Sequence, residues 1–290
     1  MTPKKIGLAL GGGGARGLAH IGVIKALVEN GIDISFIAGT SMGALVGGWY
    51  AATKDINALE NIFSNVSKDE INMFTKILKK RDGGSLRVKD HIFTDFLGDT
   101  LKRANIENLK IPFWAVATDI KNGDEVVIKK GNLLEAIRAS AALPIVFNPV
   151  AFDDRLLMDG GFSNPVPADV VKQMGAECVI AVDISSKWLD FSEKPFNWTR
   201  LPSLISNVLD AAAYQLSKSA LESADIVLRP LVLNFGWFDF RQPGEIMRAG
   251  IRETKINIKD IFAKTGYPEP ARTPFEKFLD FLFYQNIDQD

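Results

Sequence analysis

The chain of 290 residues holds one cysteine, two histidines and a formal net charge of only -1. Each scarcity excludes something. The lone thiol, Cys178, cannot close an intrachain disulfide, and its setting in "AECVIAVD" marks it as a small hydrophobe of a buried strand, which fits a reducing compartment. The near balance of acidic and basic side chains leaves no strong field for nucleic acid, so no nucleic-acid partner is expected. No stretch approaches the roughly 18 apolar residues of a membrane span, and the run behind Lys4 and Lys5 is too short for a secretory signal. The expectation is a cytoplasmic protein whose contact with a membrane is at most peripheral. Two histidines also leave few candidates for the base of a conventional triad.

Nearly half of the residues are apolar, enough for a sizeable core. Short β-rich runs alternate with helical patterns through the first two thirds of the chain. "KIGLAL" precedes "GLAHIGVIKALVENG", where Leu18, Ile21, Ile24, Leu27 and Val28 recur at helical spacing and Gly31 supplies a stop. "ISFIA" leads to a helix from Ala44; "IPFWAVATD", "EVVIKKG", "LLEAIRASAALP", "ADVVKQMGAE" and "CVIAVDIS" continue the alternation. This predicts a three-layer α/β/α fold on a largely parallel sheet, with a hairpin through Asp153 and Asp154 adding antiparallel strands. A lysine-rich stretch up to Val88, broken at "RDGGS", reads as a solvated face, and residues 186–202 read as a long loop. A helix from about Pro202 to Ser223 and a strand "DIVLRPLV" follow, so that residues 1–230 form the main domain and residues 231–290 a mostly helical extension.

Ligands of open parallel sheets sit at the carboxyl ends of the strands. Those ends carry a glycine loop from Gly11 to Gly17, Ser41, and the aspartates Asp119, Asp159 and Asp183. "GTSMG" matches G-x-S-x-G, with Gly39 and Gly43 flanking Ser41 between a strand and a helix. That is the setting in which a serine can take a strained turn and become a nucleophile. "GGGGARG" also satisfies G-x-G-x-x-G through Gly12, Gly14 and Gly17. A dinucleotide site would need an acid where Gly39, Thr40 and Ser41 stand, and a phosphate loop would need a lysine and a hydroxyl where Leu18 and Ala19 stand. An oxyanion loop, its N–H groups facing a tetrahedral intermediate, is the better reading. His20 lies in the first helix beside Ile21 and reads as a core residue, whereas His91, just past the lysine-rich stretch, reads as exposed. A carboxylate must then be weighed as the base. Asp159, followed by Gly160 and Gly161, is one choice, and its plain alternative is an Asp-Gly turn.

"GGGARG", "GTSMG", "ASAALP" and "DGG", in this order, resemble the patatin-like phospholipases, well over residues 6–185 and more loosely through "ADIVLRP" and "PGEIMRAG". The resemblance implies a Ser-Asp dyad without histidine, with Ser41 as nucleophile and Asp159 as base. It also implies an oxyanion hole at Gly12, Gly13 and Gly14 with Arg16, and Asp119 and Asp183 in structural roles. It implies hydrolysis of phospholipid, lysophospholipid or other fatty-acyl esters with neither metal nor organic cofactor. A lipid-binding protein without turnover on the same scaffold is the alternative, and the intact Ser41 and Asp159 count against it. In the aromatic tail, "NFGWFDF" and "PFEKFLDFLFYQ" place Phe275, Phe278, Leu279 and Leu282 on one helical face, which core packing explains, with Phe281, Phe283 and Tyr284 around it as candidates for binding lipid, capping an acyl channel or forming a dimer contact.

Overall fold

A computed structural model describes residues 2–65, 101–144, 146–185 and 201–270. The readings made for the rest of the lysine-rich stretch with His91, for residues 186–200 and for the tail beyond residue 270 lie outside the described residues. The elements are β1 (Ile6–Leu10), α1 (Ala19–Glu29), β2 (Ile34–Thr40), α2 (Met42–Thr53), α3 (Ile56–Ser64), β3 (Phe113–Asp119), β4 (Glu125–Ile128) and α4 (Leu133–Ser140). They continue with β5 (Val150–Phe152), β6 (Arg155–Asp159), α5 (Ala168–Gln173), β7 (Cys178–Val182), α6 (Leu201–Ala220), β8 (Ile226–Leu228), α7 (Pro243–Ile256) and α8 (Ile258–Thr265). Local chemistry starts several helices: Asp55 caps α3 by accepting from Ala58 N–H, and Asn132 caps α4 by accepting from Glu135 N–H.

The strands form one eight-stranded sheet whose hydrogen-bonded path runs β5-β6-β3-β2-β1-β7-β8, with β4 also pairing β3. The pairings from β3 through β8 are parallel, and those of β4, β5 and β6 are antiparallel. Asp153, at φ 48°, turns the expected hairpin. The period-two alternation of a strand divides the core between two faces. Ile6, Leu8 and Leu10 of β1, Phe113 and Ala115 of β3, and Ile180 and Val182 of β7 pack into the larger cluster with α1, α2 and α4. Ala9, Ala38, Val116, Val179 and Ala181 face the other way, against Val170 and Val171 of α5. Small residues on that face let α5 lie close: a Cβ on Gly7 would stand 2.0 Å from Val171 Cγ1. On the first face α1 crosses α7 at glycines, since a Cβ on Gly22 would meet the Met247 carbonyl oxygen at 1.9 Å and one on Gly250 the Ala19 carbonyl oxygen at 2.0 Å. Helix α7, within the expected extension, is thereby fastened to the first helix. Among the described residues no helix is long and apolar enough to cross a membrane.

Candidate active site

Strand β3 decides which strand ends meet. Ala117 and Thr118 pair with both β4 and β6, so those two strands flank β3 on opposite edges. Ala115 and Val116 pair with both β2 and β4, so β2 shares the edge of β6. Along that edge Thr40, the last residue of β2, is partnered by Val116, and Asp159, the last of β6, by the next residue, Ala117. Two strands running toward each other thus end head to head. The residue after Thr40 is Ser41, and its Oγ–H donates to Asp159 Oδ2 at 2.6 Å.

Ser41 turns the chain from β2 into α2 at φ 55° and ψ -120°, a backbone region that residues with a side chain seldom occupy. Helix α2 therefore starts at Met42, two residues before the expected Ala44. The turn is held from several sides. A Cβ on Gly39 would lie 2.4 Å from the Gly43 carbonyl oxygen, and one on Gly43 would lie 2.1 Å from that of Leu10. Ser41 N–H donates to Ser140 Oγ at 2.8 Å, and that hydroxyl donates onward to the Val116 carbonyl at 2.5 Å. Thr40 Oγ1 donates to the Asn164 carbonyl at 2.8 Å. Nothing in the sequence analysis singled out a residue of "ASAALP". Ser140, the one polar side chain among its small apolar neighbours, was the available signal.

Asp159 is 3% exposed. Its Oδ1 accepts from Gly161 N–H at 2.8 Å, and its Oδ2 from Ser41. Burial pushes its carboxyl up from 3.8 to about 6, against the opposing pull of the hydrogen bonds from Ser41 and Gly161. Gly160 is required for contact, because a Cβ there would stand 2.2 Å from the Val116 carbonyl oxygen. The other two candidate aspartates fasten turns. Asp119 accepts from Lys121 N–H, while Asp183 accepts from Ser185 N–H and Oγ and from Arg229 Nε.

The glycine loop passes beside Ser41, with Gly12 in closest register: a Cβ there would be 3.3 Å from Ser41 Cβ. Gly12 N–H is already committed to the Pro165 carbonyl at 2.9 Å, and Ala15 N–H to that of Trp237 at 2.7 Å. Between them Gly13 and Gly14, at φ 156° and 58°, have N–H groups with no acceptor among the described residues, as has Met42 at the start of α2. Of the expected set Gly12, Gly13 and Gly14, the N–H of Gly12 is thus already bonded, while those of Gly13 and Gly14 are not bonded among the described residues. Arg16 is buried and donates from Nε to the Phe235 carbonyl at 2.6 Å, which ties the loop to the segment ahead of α7. His20 is buried as expected, but not idle: its Nε2 bonds the Gly11 carbonyl at 2.7 Å. At the last position of β2, where a dinucleotide fold carries its ribose-binding acid, stands Thr40, bonded to Asn164.

A small pocket opens beside Gly12 and Asp159. Leu143, Phe162, Pro165, Ala212, Ala213 and Trp237 line it with Asp159, so that its walls are almost wholly apolar.

The chain is similar to known proteins. A family model described as patatin-like phospholipase matches residues 8–172, more than half of the chain. A patatin-like phospholipase domain-containing protein of Caenorhabditis elegans is 33% identical over 275 residues, covering 87% of this chain and 20% of its own length. A lysophospholipase of Scheffersomyces stipitis is 29% identical over 277 residues, covering 87% and 18% respectively. An NTE family protein of Mycobacterium bovis is 41% identical over 195 residues, covering 63% of this chain and 50% of the other. The chain therefore spans about a fifth to a half of the length of these relatives.

Proposed function

Because the chain belongs to the patatin-like phospholipase family, we propose that it hydrolyses fatty-acyl esters of phospholipids or lysophospholipids through an acyl-enzyme on Ser41, with Asp159 as the base. The observation that carries this reading is the 2.6 Å hydrogen bond from Ser41 Oγ to a buried carboxylate whose pKa stands near 6. A carboxylate at its ordinary pKa is a weak base toward a serine hydroxyl, and burial makes this one better matched to neutral pH. As Ser41 Oγ attacks the ester carbonyl, its proton passes to Asp159 Oδ2. The tetrahedral oxyanion is met by the uncommitted N–H groups of Gly13, Gly14 and Met42, the last at the positive end of α2. The alcohol leaves with the proton, a water enters, Asp159 takes a proton from it, and a second tetrahedral collapse frees the fatty acid and restores Ser41.

The apolar walls at Leu143, Phe162, Ala212, Ala213 and Trp237 support an acyl chain as the group bound beside the dyad. Similarity to the lysophospholipase of Scheffersomyces stipitis favours a lysolipid among such substrates. Arg16 serves by fixing the loop through Phe235, and neither metal nor organic cofactor enters a step. Contact with a lipid surface is peripheral in this reading.

The experiment is turnover of a short-chain chromogenic ester and of a long-chain lysophospholipid by the wild type, Ser41→Ala and Asp159→Asn. Both variants should lose about a thousandfold or more in kcat, with the wild type preferring the lipid. Turnover that survives Ser41→Ala at more than a few per cent would sink the nucleophile assignment.

A further inference from the structure

Two buried side-chain atoms among the described residues lack any hydrogen-bond partner, His20 Nδ1 and Asn164 Oδ1. Such orphans are rare in native proteins and call for an explanation. Both belong to residues that hold the site by another atom. Asn164 receives Thr40 Oγ1 on its carbonyl, next to Ser41. His20 grips the glycine loop.

A backbone carbonyl can only accept, so the 2.7 Å contact with Gly11 requires the proton on His20 Nε2, leaving Nδ1 as a bare lone pair. Full burial, which lowers the imidazole pKa to about 4, keeps the ring neutral in this tautomer at neutral pH. The same Gly11–Gly12 peptide unit is held from its other side, where Gly12 N–H donates to the Pro165 carbonyl at 2.9 Å. Its plane is therefore fixed at both polar ends, once from α1 and once from the segment that follows the Asp159 turn. Four residues later in the chain, the loop is pinned again by Ala15 N–H on Trp237. What lies between the pins is Gly13 and Gly14, whose N–H groups have no acceptor among the described residues.

The geometry points to His20 as the residue that positions the oxyanion loop: by holding the Gly11 carbonyl it aims the N–H groups of Gly13 and Gly14 toward the oxyanion formed at Ser41. This rests on the hydrolase reading above. His20 touches neither substrate nor Ser41, so it acts only through the loop. An apolar side chain of similar size would fill the same space without stranding Nδ1, and the unmatched nitrogen is accounted for by the work of its partner on the ring.

The test compares His20→Leu, which fills the space and donates nothing, with His20→Gln, whose amide N–H can extend to the same carbonyl. Transition-state stabilisation by misaimed donors should fall while ground-state binding is spared. Leucine is therefore expected to lower kcat about a hundredfold with KM within about threefold, and glutamine to recover kcat to within about tenfold of the wild type. Nitrogen-15 NMR of the wild-type imidazole should report a neutral ring with the proton on Nε2 from pH 6 to 8, a signature independent of turnover and of whether His20→Leu folds. A proton on Nδ1, a charged ring, a folded leucine variant with unchanged kcat, or equal losses in leucine and glutamine variants would each overturn the positioning role. Absence of turnover in the wild type would overturn the hydrolase reading and this inference with it, whereas wild-type turnover that ignores His20→Leu overturns the inference alone.

Discussion

Replacing Asp159 by asparagine should abolish the chemistry and strengthen the fold. The carboxyl is 3% exposed, and burial raises its pKa from 3.8 to about 6. The folded protein thus binds this proton more tightly than the unfolded chain does. Its contribution to stability is full below the unfolded value, is lost as pH rises through the folded value, and stays lost above it. A shift of this size corresponds to about 3 kcal/mol at pH 8 and, where the folded form is still mostly protonated, to about 1.5 kcal/mol at pH 5. Asparagine has no charge to bury and can keep both contacts, its oxygen accepting from Gly161 N–H and its amide donating to Ser41 Oγ. Urea unfolding followed by tryptophan fluorescence should show the variant more stable than the wild type by about 2 to 3 kcal/mol at pH 8, with the gap roughly halved at pH 5. Ester turnover by the variant should be lost at both. A variant no more stable than the wild type at pH 8, or a gap that does not move with pH, would refute the picture of a buried, charged Asp159 at neutral pH.

Two more outcomes follow from the same site. In the proposed mechanism Asp159 is ionised when it takes the Ser41 proton, so kcat/KM should rise about tenfold per pH unit below about pH 6 and level off above it, and a profile flat from pH 5 to 8 would count against this base. Ser140→Ala removes the hydroxyl between Ser41 N–H and the Val116 carbonyl, and should lower stability by about 1 to 3 kcal/mol and reduce kcat as well; thermal melts and turnover that match the wild type would show that the turn holds without it.

The chain's local order was legible where local chemistry sets it. The strand before Ser41, the hairpin through Asp153 and the helices from "GLAHIG" and "PGEIMRAG" follow from periodicity and turn residues that act over a few positions. The candidate nucleophile was readable because Gly39 and Gly43 flag a tight turn in the string itself. Asp159 was harder: Asp119, Asp159 and Asp183 all close strands, and choosing among them by spacing needs the pairing of β3 with two strands, one of them 118 residues from Ser41 by the dyad's own separation. Periodicity placed His20 inside but could not show that its ring would meet a carbonyl nine residues back, since that contact depends on how α1 leans over the loop. The same limit hid the engagement of Gly12 with Pro165 and the role of Ser140, each a long-range bond to a backbone atom that no residue type announces.

The head-to-head meeting of β2 and β6 makes β3 a ruler. Thr40 and Asp159 are read against neighbouring graduations, Val116 and Ala117, so the separation of hydroxyl and carboxylate is set in whole steps of about 3.3 Å. A slip of β6 by one residue would carry Asp159 a full step and turn it to the opposite face of the sheet, leaving no intermediate register of partial competence. Length changes in loops outside the ladder leave the graduation untouched, whereas a single insertion within "RLLMD" erases it.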